Sequence, residues 1–140
     1  MSTPPTAAGD EEDDNVSDLT RPEVNVPDGP APAELVIEDQ VIGDGAEATS
    51  GSHIAAHYVG VSHATGKQFD ASWDRGTPLE FRLGTGRVIQ GWDDGIAGMR
   101  VGGRRRLTVP AHLAYGDRGA GGVIKPGETL VFVVDLVSVR

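Results

Sequence analysis

Val88-Ile89-Gln90-Gly91-Trp92-Asp93-Asp94-Gly95-Ile96-Ala97-Gly98-Met99 is the stretch on which the reading of this chain turns. Ile89, Trp92, Ile96 and Met99 recur at spacings of three and four, so they share one face of a helix. The pattern predicts about two turns over Gln90 to Ala97, too short to persist in water without packing against something else. Asp93 and Asp94 point away from that face and suit the positive end of the helix dipole. No other segment in the second half of the chain reads as helix. An indole on the first turn of such a helix is either the plug of a β core or the floor of a pocket.

The flanking sequence reads as strand and turn. Leu35-Val36-Ile37 opens a strand that Gly43-Asp44-Gly45 breaks. In Ser52 to Val61, strict alternation places Ile54, Ala56 and Tyr58 on one face. Gln68 to Ser72 is short and extended, Asp74 to Pro78 interrupts it, and Leu79 to Leu83 alternates again. Beyond the helix, Arg104 to Val109 is a strand closed by Pro110. Residues 111–128 form a loop with five glycines, and Thr129 to Val139 is the longest strand. Both faces of that last strand are apolar, which predicts a central position. Five or six antiparallel strands and one short helix make an α+β domain with the helix packed on one face of the sheet.

Length predicts one domain. The net charge of −9 is uneven. Residues 1–33 carry eight acids against Arg21 alone, a net of −7, and the rest of the chain carries −2. This leader is rich in Pro, Ala, Asp and Glu and poor in large apolar side chains, so it is expected to be disordered, with the folded domain over residues 34–140. There is no cysteine, hence no disulfide, thiolate ligand or thiol nucleophile. No apolar run approaches the roughly 20 residues of a membrane span, and the N-terminus lacks the regions of a signal peptide. A cytoplasmic monomer without membrane or nucleic-acid partners is the expectation.

The remaining motifs exclude more than they assign. Gly84-Thr85-Gly86 with Gly91 and Gly95 is not the dinucleotide spacing. Arg104-Arg105-Arg106 alternates faces in a strand and reads as a solvated sheet rim, not the broad basic patch of a nucleic-acid binder. His53 and His57 are roughly 13 Å apart along a strand and suggest no metal site. No serine or threonine comes with a base and an orienting group. What remains is Tyr58, Phe69, Trp92, Tyr115 and Phe132, placed where strands meet loops, with Asp70 and Arg75 as the nearest ionic pair. An aromatic cavity with a few polar groups suits a small ligand or peptide.

Six segments carry a resemblance: Ala56-His57-Tyr58-Val59-Gly60, Gly66 to Ser72, Val88 to Gly95, Gly102-Gly103 with Leu107 to Pro110, Leu113-Ala114-Tyr115-Gly116, and Leu130-Val131-Phe132. In this order and spacing the chain resembles the FKBP-type peptidyl-prolyl cis-trans isomerases in their minimal single-domain form, over about residues 34–140. The segment between Tyr115 and Thr129 is too short for the extra domain of the chaperone-like bacterial relatives. The resemblance implies a half-barrel wrapped around the short helix. It makes Trp92 the floor of a prolyl pocket and Tyr58, Phe69, Val88, Ile89 and Phe132 its walls, with Leu79 completing them. Ile89 offers its backbone N–H, Tyr115 donates to a substrate carbonyl, and Asp70 sits at the rim, positioned by Tyr58 and Arg75. Val123 and Ile124 belong to an overhanging loop. The implied catalytic residues are Asp70, Tyr115, Trp92 and Tyr58. No cofactor or metal is implied, and the partners are proline-containing polypeptides and macrolides of the tacrolimus or rapamycin type.

Rotation about an X-Pro bond breaks no bond, so an apolar site with one or two donors suffices chemically. The chain departs from the family pattern at Leu79, where a second aromatic is usual, at Arg87, where an acid is common, and at Ala120, where a loop histidine is common. Two rival readings keep the same fold: a non-catalytic peptide- or macrolide-binding module, and a structural domain that uses the last strand as a contact face.

Overall fold

The computed structural model describes residues 20–26, 29–121 and 123–140. The acidic run at residues 10–18, on which the reading of the leader mainly rests, lies outside them. Six antiparallel strands form one sheet: β1 (Val36–Val41), β2 (His53–Ser62), β3 (Gln68–Ala71), β4 (Leu79–Arg82), β5 (Arg104–Val109) and β6 (Leu130–Val139). Their order is β1-β5-β6-β2-β3, with β4 also pairing to β2. Strand β2 therefore has two partners along one edge. Its start faces β4, with Ala56 opposite Leu79, and its end faces β3, with Gly60 opposite Asp70. Between β3 and β4 the chain makes a one-turn helix, α1 (Ser72–Arg75), where extended chain and a break were expected. Gly76 ends it at φ 74°, a backbone conformation that glycine adopts without strain.

The central helix α2 runs Gln90–Ile96, close to the expected bounds. Trp92, Ile96 and Met99 are buried against Leu107, Val109, Phe132, Val134 and Leu136 on the concave face. Helix and sheet approach closely because α2 carries glycine at positions 91 and 95, four apart on one face. A Cβ on Gly91 would lie 2.4 Å from Val109 Cγ1, and one on Gly95 would lie 2.8 Å from Leu107 Cδ2. Asp93 does more than complement the dipole. Its carboxylate accepts the N–H groups of Gly84 (2.8 Å) and Gly86 (3.0 Å) and so holds the loop that feeds the helix.

The arginine triplet differs from the solvated rim expected of it. Its side chains are mostly buried, each paired with an acid: Arg104 with Asp135, Arg105 with Asp39 and Arg106 with Glu38. Arg105 faces the helix and donates to the carbonyls of Gly95 (2.8 Å) and Ala97 (3.1 Å). It thus satisfies orphan carbonyls at the C-terminus of α2, where a cation is also favoured by the dipole.

A patch of the sheet's outer face is covered by chain that precedes β1. Val24 and Val26, with Trp73, pack on Val59, Val61, Ala71 and Val131. Arg21 pairs with Asp74, and the Thr20 carbonyl accepts from Arg104. Two valines supply the apolar contact here, and β6 is buried on both faces as its sequence predicted.

Candidate functional site

At the open end of the half-barrel lies a cavity of about 170 Å³, lined by Tyr58, Phe69, Asp70, Leu79, Arg87, Val88, Ile89, Trp92, Tyr115 and Phe132. Each element contributes for a local reason. Alternation on β2 and β6 turns Tyr58 and Phe132 inward, Phe69 and Leu79 come from β3 and β4, and α2 presents Trp92 from below. The Trp92 ring meets Tyr58 edge-on at 4.8 Å and Phe132 at 5.3 Å, and Phe69 meets Phe132 at 5.6 Å. These are the edge-to-face geometries aromatic rings prefer. Gly60 makes room for the walls, since a Cβ there would stand 2.7 Å from Phe69 Cζ and 2.8 Å from Phe132 Cε1.

One charged cluster stands at the rim. Asp70 accepts from the Tyr58 hydroxyl (2.5 Å) and from Arg75 (2.6 Å), and Arg75 also donates to the Tyr58 oxygen (2.9 Å). The cluster is anchored by the fully buried Ser72, whose hydroxyl accepts the Tyr58 N–H (2.7 Å) and shares a hydrogen bond with His57 Nδ1 (2.9 Å). Burial pushes the Asp70 carboxyl up, but the hydrogen bonds from Tyr58 and Arg75 outweigh it and hold the group below its usual value. Burial raises Tyr58, and its bond to Asp70 adds to this. Burial and the charge of Asp70 together raise Tyr115. At neutral pH the site therefore holds one carboxylate, neutralised by Arg75, and two protonated phenols.

Not every residue singled out in the sequence lines this cavity. Arg75 stands behind Asp70 and does not reach the cavity wall. Ile124 is buried in the core, and Val123 is 66% exposed beside a neighbouring hollow with Lys67 and Lys125. Arg87 does line the cavity. Phe81 was not singled out, yet it supports the floor, with its ring 5.9 Å from that of Trp92. Its only signal in the sequence was its place on the apolar face of Leu79 to Leu83.

The match to known proteins follows this geometry. The family model described as FKBP-type peptidyl-prolyl cis-trans isomerase matches residues 45–137. An FK506-binding protein of Streptomyces anulatus is 62% identical over 122 residues, covering 86% of this chain and 98% of its own. The chain belongs to the FKBP-type peptidyl-prolyl cis-trans isomerases. The peptidyl-prolyl cis-trans isomerase FPR2 of Saccharomyces cerevisiae is 49% identical over 106 residues, 76% of each chain. The crystal structure of AtFKBP13 superposes with a TM-score of 0.71 at 45% identity, over 79% of this chain and 96% of that one.

Within this FKBP domain no serine, threonine, cysteine, histidine or lysine lines the cavity. The Tyr115 hydroxyl and the Ile89 N–H have no hydrogen-bond partner among the described residues, while the Ile89 carbonyl accepts from Trp92 and Asp93 at the helix start. The site is an apolar cup in which these two donors, like the Arg87 side chain, have no hydrogen-bond partner among the described residues.

Its pH response follows from the charged cluster. Asp70 has a lower pKa folded than unfolded, so its ionised form stabilises the fold above the unfolded carboxylate value of about 3.9. That contribution is lost as pH falls toward the folded value. Activity is expected to stay flat around neutral pH, because the Asp70 carboxyl is held below its usual value and the Tyr58 and Tyr115 phenols above theirs, and to fall only in acid below the usual carboxylate range. A pH–rate profile shaped as a bell around neutrality would contradict this.

Proposed function

We propose that this chain accelerates cis-trans isomerisation of X-Pro bonds in folding polypeptides, with the prolyl ring seated on Trp92 between Tyr58, Phe69 and Phe132. The observation that carries this reading is the size and chemistry of the cup: about 170 Å³, lined mainly by aromatic and aliphatic side chains. Ligand pockets for drug-sized molecules are roughly two to six times larger, whereas a single small ring fits here.

The X-Pro amide resists rotation by a barrier of about 18–20 kcal/mol, because resonance holds it planar. In the twisted transition state that resonance is lost and the amide is less polar. An apolar cup stabilises the twisted form relative to the planar one, which is the differential binding that lowers a barrier. The Ile89 N–H and the Tyr115 hydroxyl hold substrate carbonyls so that the chain on one side of the bond stays fixed while the other turns. Asp70 is kept from acting as a free charge by Arg75 and keeps the Tyr58 ring oriented.

Two assays test this reading. A proline-containing peptide should isomerise faster with the folded protein, and a macrolide of the tacrolimus or rapamycin type should compete, lying across the rim where Leu79, Arg87 and Ala120 set its affinity. No acceleration by folded protein would overturn the reading. Tyr115→Phe should lower kcat/KM by about threefold to tenfold, the loss of one hydrogen bond. Stability should hardly change, because the hydroxyl has no partner among the described residues to orphan. Action in the cytoplasm as a monomer belongs to the same proposal and is checked by cell fractionation and sedimentation.

A further inference from the structure

We propose that Arg87 selects substrates that carry an acidic side chain next to the proline. This rests on the isomerase reading above and goes beyond it by naming a substrate class. Two charged side chains line the prolyl cavity, Asp70 and Arg87. Asp70 is neutralised by its ion pair with Arg75 at 2.6 Å. Arg87 has no hydrogen bond or ion pair among the described residues, whereas Arg75, Arg82 and Arg140 nearby each have one. The uncompensated charge at the mouth is therefore positive.

A second hollow continues the cavity past Arg87. It holds about 460 Å³, shares Leu79, Arg87 and Val88 with the prolyl cavity, and runs along the exposed side of β4. Its one lining acid, Glu80, is engaged by His53 at 3.3 Å and by Arg140 at 3.5 Å. The acids close in sequence are turned elsewhere. Asp93 accepts the Gly84 and Gly86 N–H groups, and Asp94 accepts from Gln90. A peptide leaving the cavity on this side passes a free guanidinium with Arg82 beyond it. A guanidinium pairs with a carboxylate by parallel N–H···O bonds and repels a lysine. A substrate glutamate or aspartate there has a partner, and a substrate lysine does not.

The test is a peptide series identical except for Glu, Gln or Lys immediately before or immediately after the proline, assayed for kcat/KM at low and high salt. The Glu peptide should exceed the Lys peptide by about threefold to tenfold at one of the two positions, with the ratio shrinking as salt screens the pair. Arg87→Gln should bring the ratio near one and Arg87→Glu should invert it. Because the readout is a ratio within each variant, a general loss of activity does not obscure it. Equal rates for Glu and Lys in the parent protein, or a preference that survives in Arg87→Glu, would overturn the inference while leaving the isomerase reading intact. Failure of the neutral Gln peptide to be accelerated would overturn both.

Discussion

Trp92→Leu is expected to lower kcat/KM at least tenfold, about 1.4 kcal/mol or more of transition-state stabilisation. The protein should nevertheless remain folded. The indole is 4% exposed, and its N–H has no hydrogen-bond partner among the described residues. Replacing it by an apolar side chain therefore orphans no polar group, and the cost is one of packing. Removing a whole aromatic ring to alanine costs about 3–5 kcal/mol, and leucine restores part of the volume. With a usual domain stability of about 5–15 kcal/mol, the variant stays largely native. Its floor no longer meets Tyr58 and Phe132 edge-on, so the surface that favours the twisted amide is gone. Urea unfolding beside the peptide assay separates the two quantities. If activity fell only in step with the unfolded fraction, Trp92 would be a core plug and not a floor.

Gly91→Ala should destabilise the protein by about 1–3 kcal/mol, the usual cost of overpacking a tight interface. Helix propensity alone argues the reverse, since alanine is better than glycine in a helix by about 1 kcal/mol. The sheet decides the sign. The new methyl would meet Val109 Cγ1 at 2.4 Å, Cγ2 at 3.0 Å and the Leu113 carbonyl at 3.3 Å. Val109 is β-branched and stiff at χ1, so it cannot turn aside. Gly95→Ala should cost less, because its contacts are at 2.8 and 2.9 Å with the δ-methyls of Leu107, which can rotate. Gly91 precedes Trp92, so lifting the helix also moves the floor, and Gly91→Ala should lose activity as well as stability. Thermal melts of the two variants check the order. A Gly91→Ala protein more stable than the parent would show that the helix, not its seat on β5, limits stability.

Much of this architecture was legible along the chain. Alternation in β2, β4 and β6 named the inward faces, and the three-and-four spacing from Ile89 to Met99 named the buried stripe of α2. Both are local periodicities set by backbone geometry, so one stretch suffices to read them. The aromatic site was legible in part. Tyr58, Phe69, Trp92 and Phe132 sit on strands and a helix whose faces could be assigned, and the structure brings them together. Val123 and Ile124 sit in a glycine-rich loop, where no periodicity says which side chain turns inward, and neither lines the cavity. The α1 turn was hidden because four residues give no period. Arg105 looked like surface because its partners, the carbonyls of Gly95 and Ala97, are backbone groups eight and ten residues away that no side-chain pattern announces.

The central helix itself and its apolar face were determined by the sequence, as were the strands and the family to which their motifs belong. Whether Trp92 is reached by a ligand was not, because a core plug and a pocket floor require the same buried indole. What the tertiary structure adds is an open volume of about 170 Å³ with Trp92 among its lining residues. The tertiary structure also decided the balance of charge at the mouth. Ion pairing depends on distances between elements remote in sequence, and those distances neutralise Asp70 with Arg75 while leaving Arg87 unpaired among the described residues.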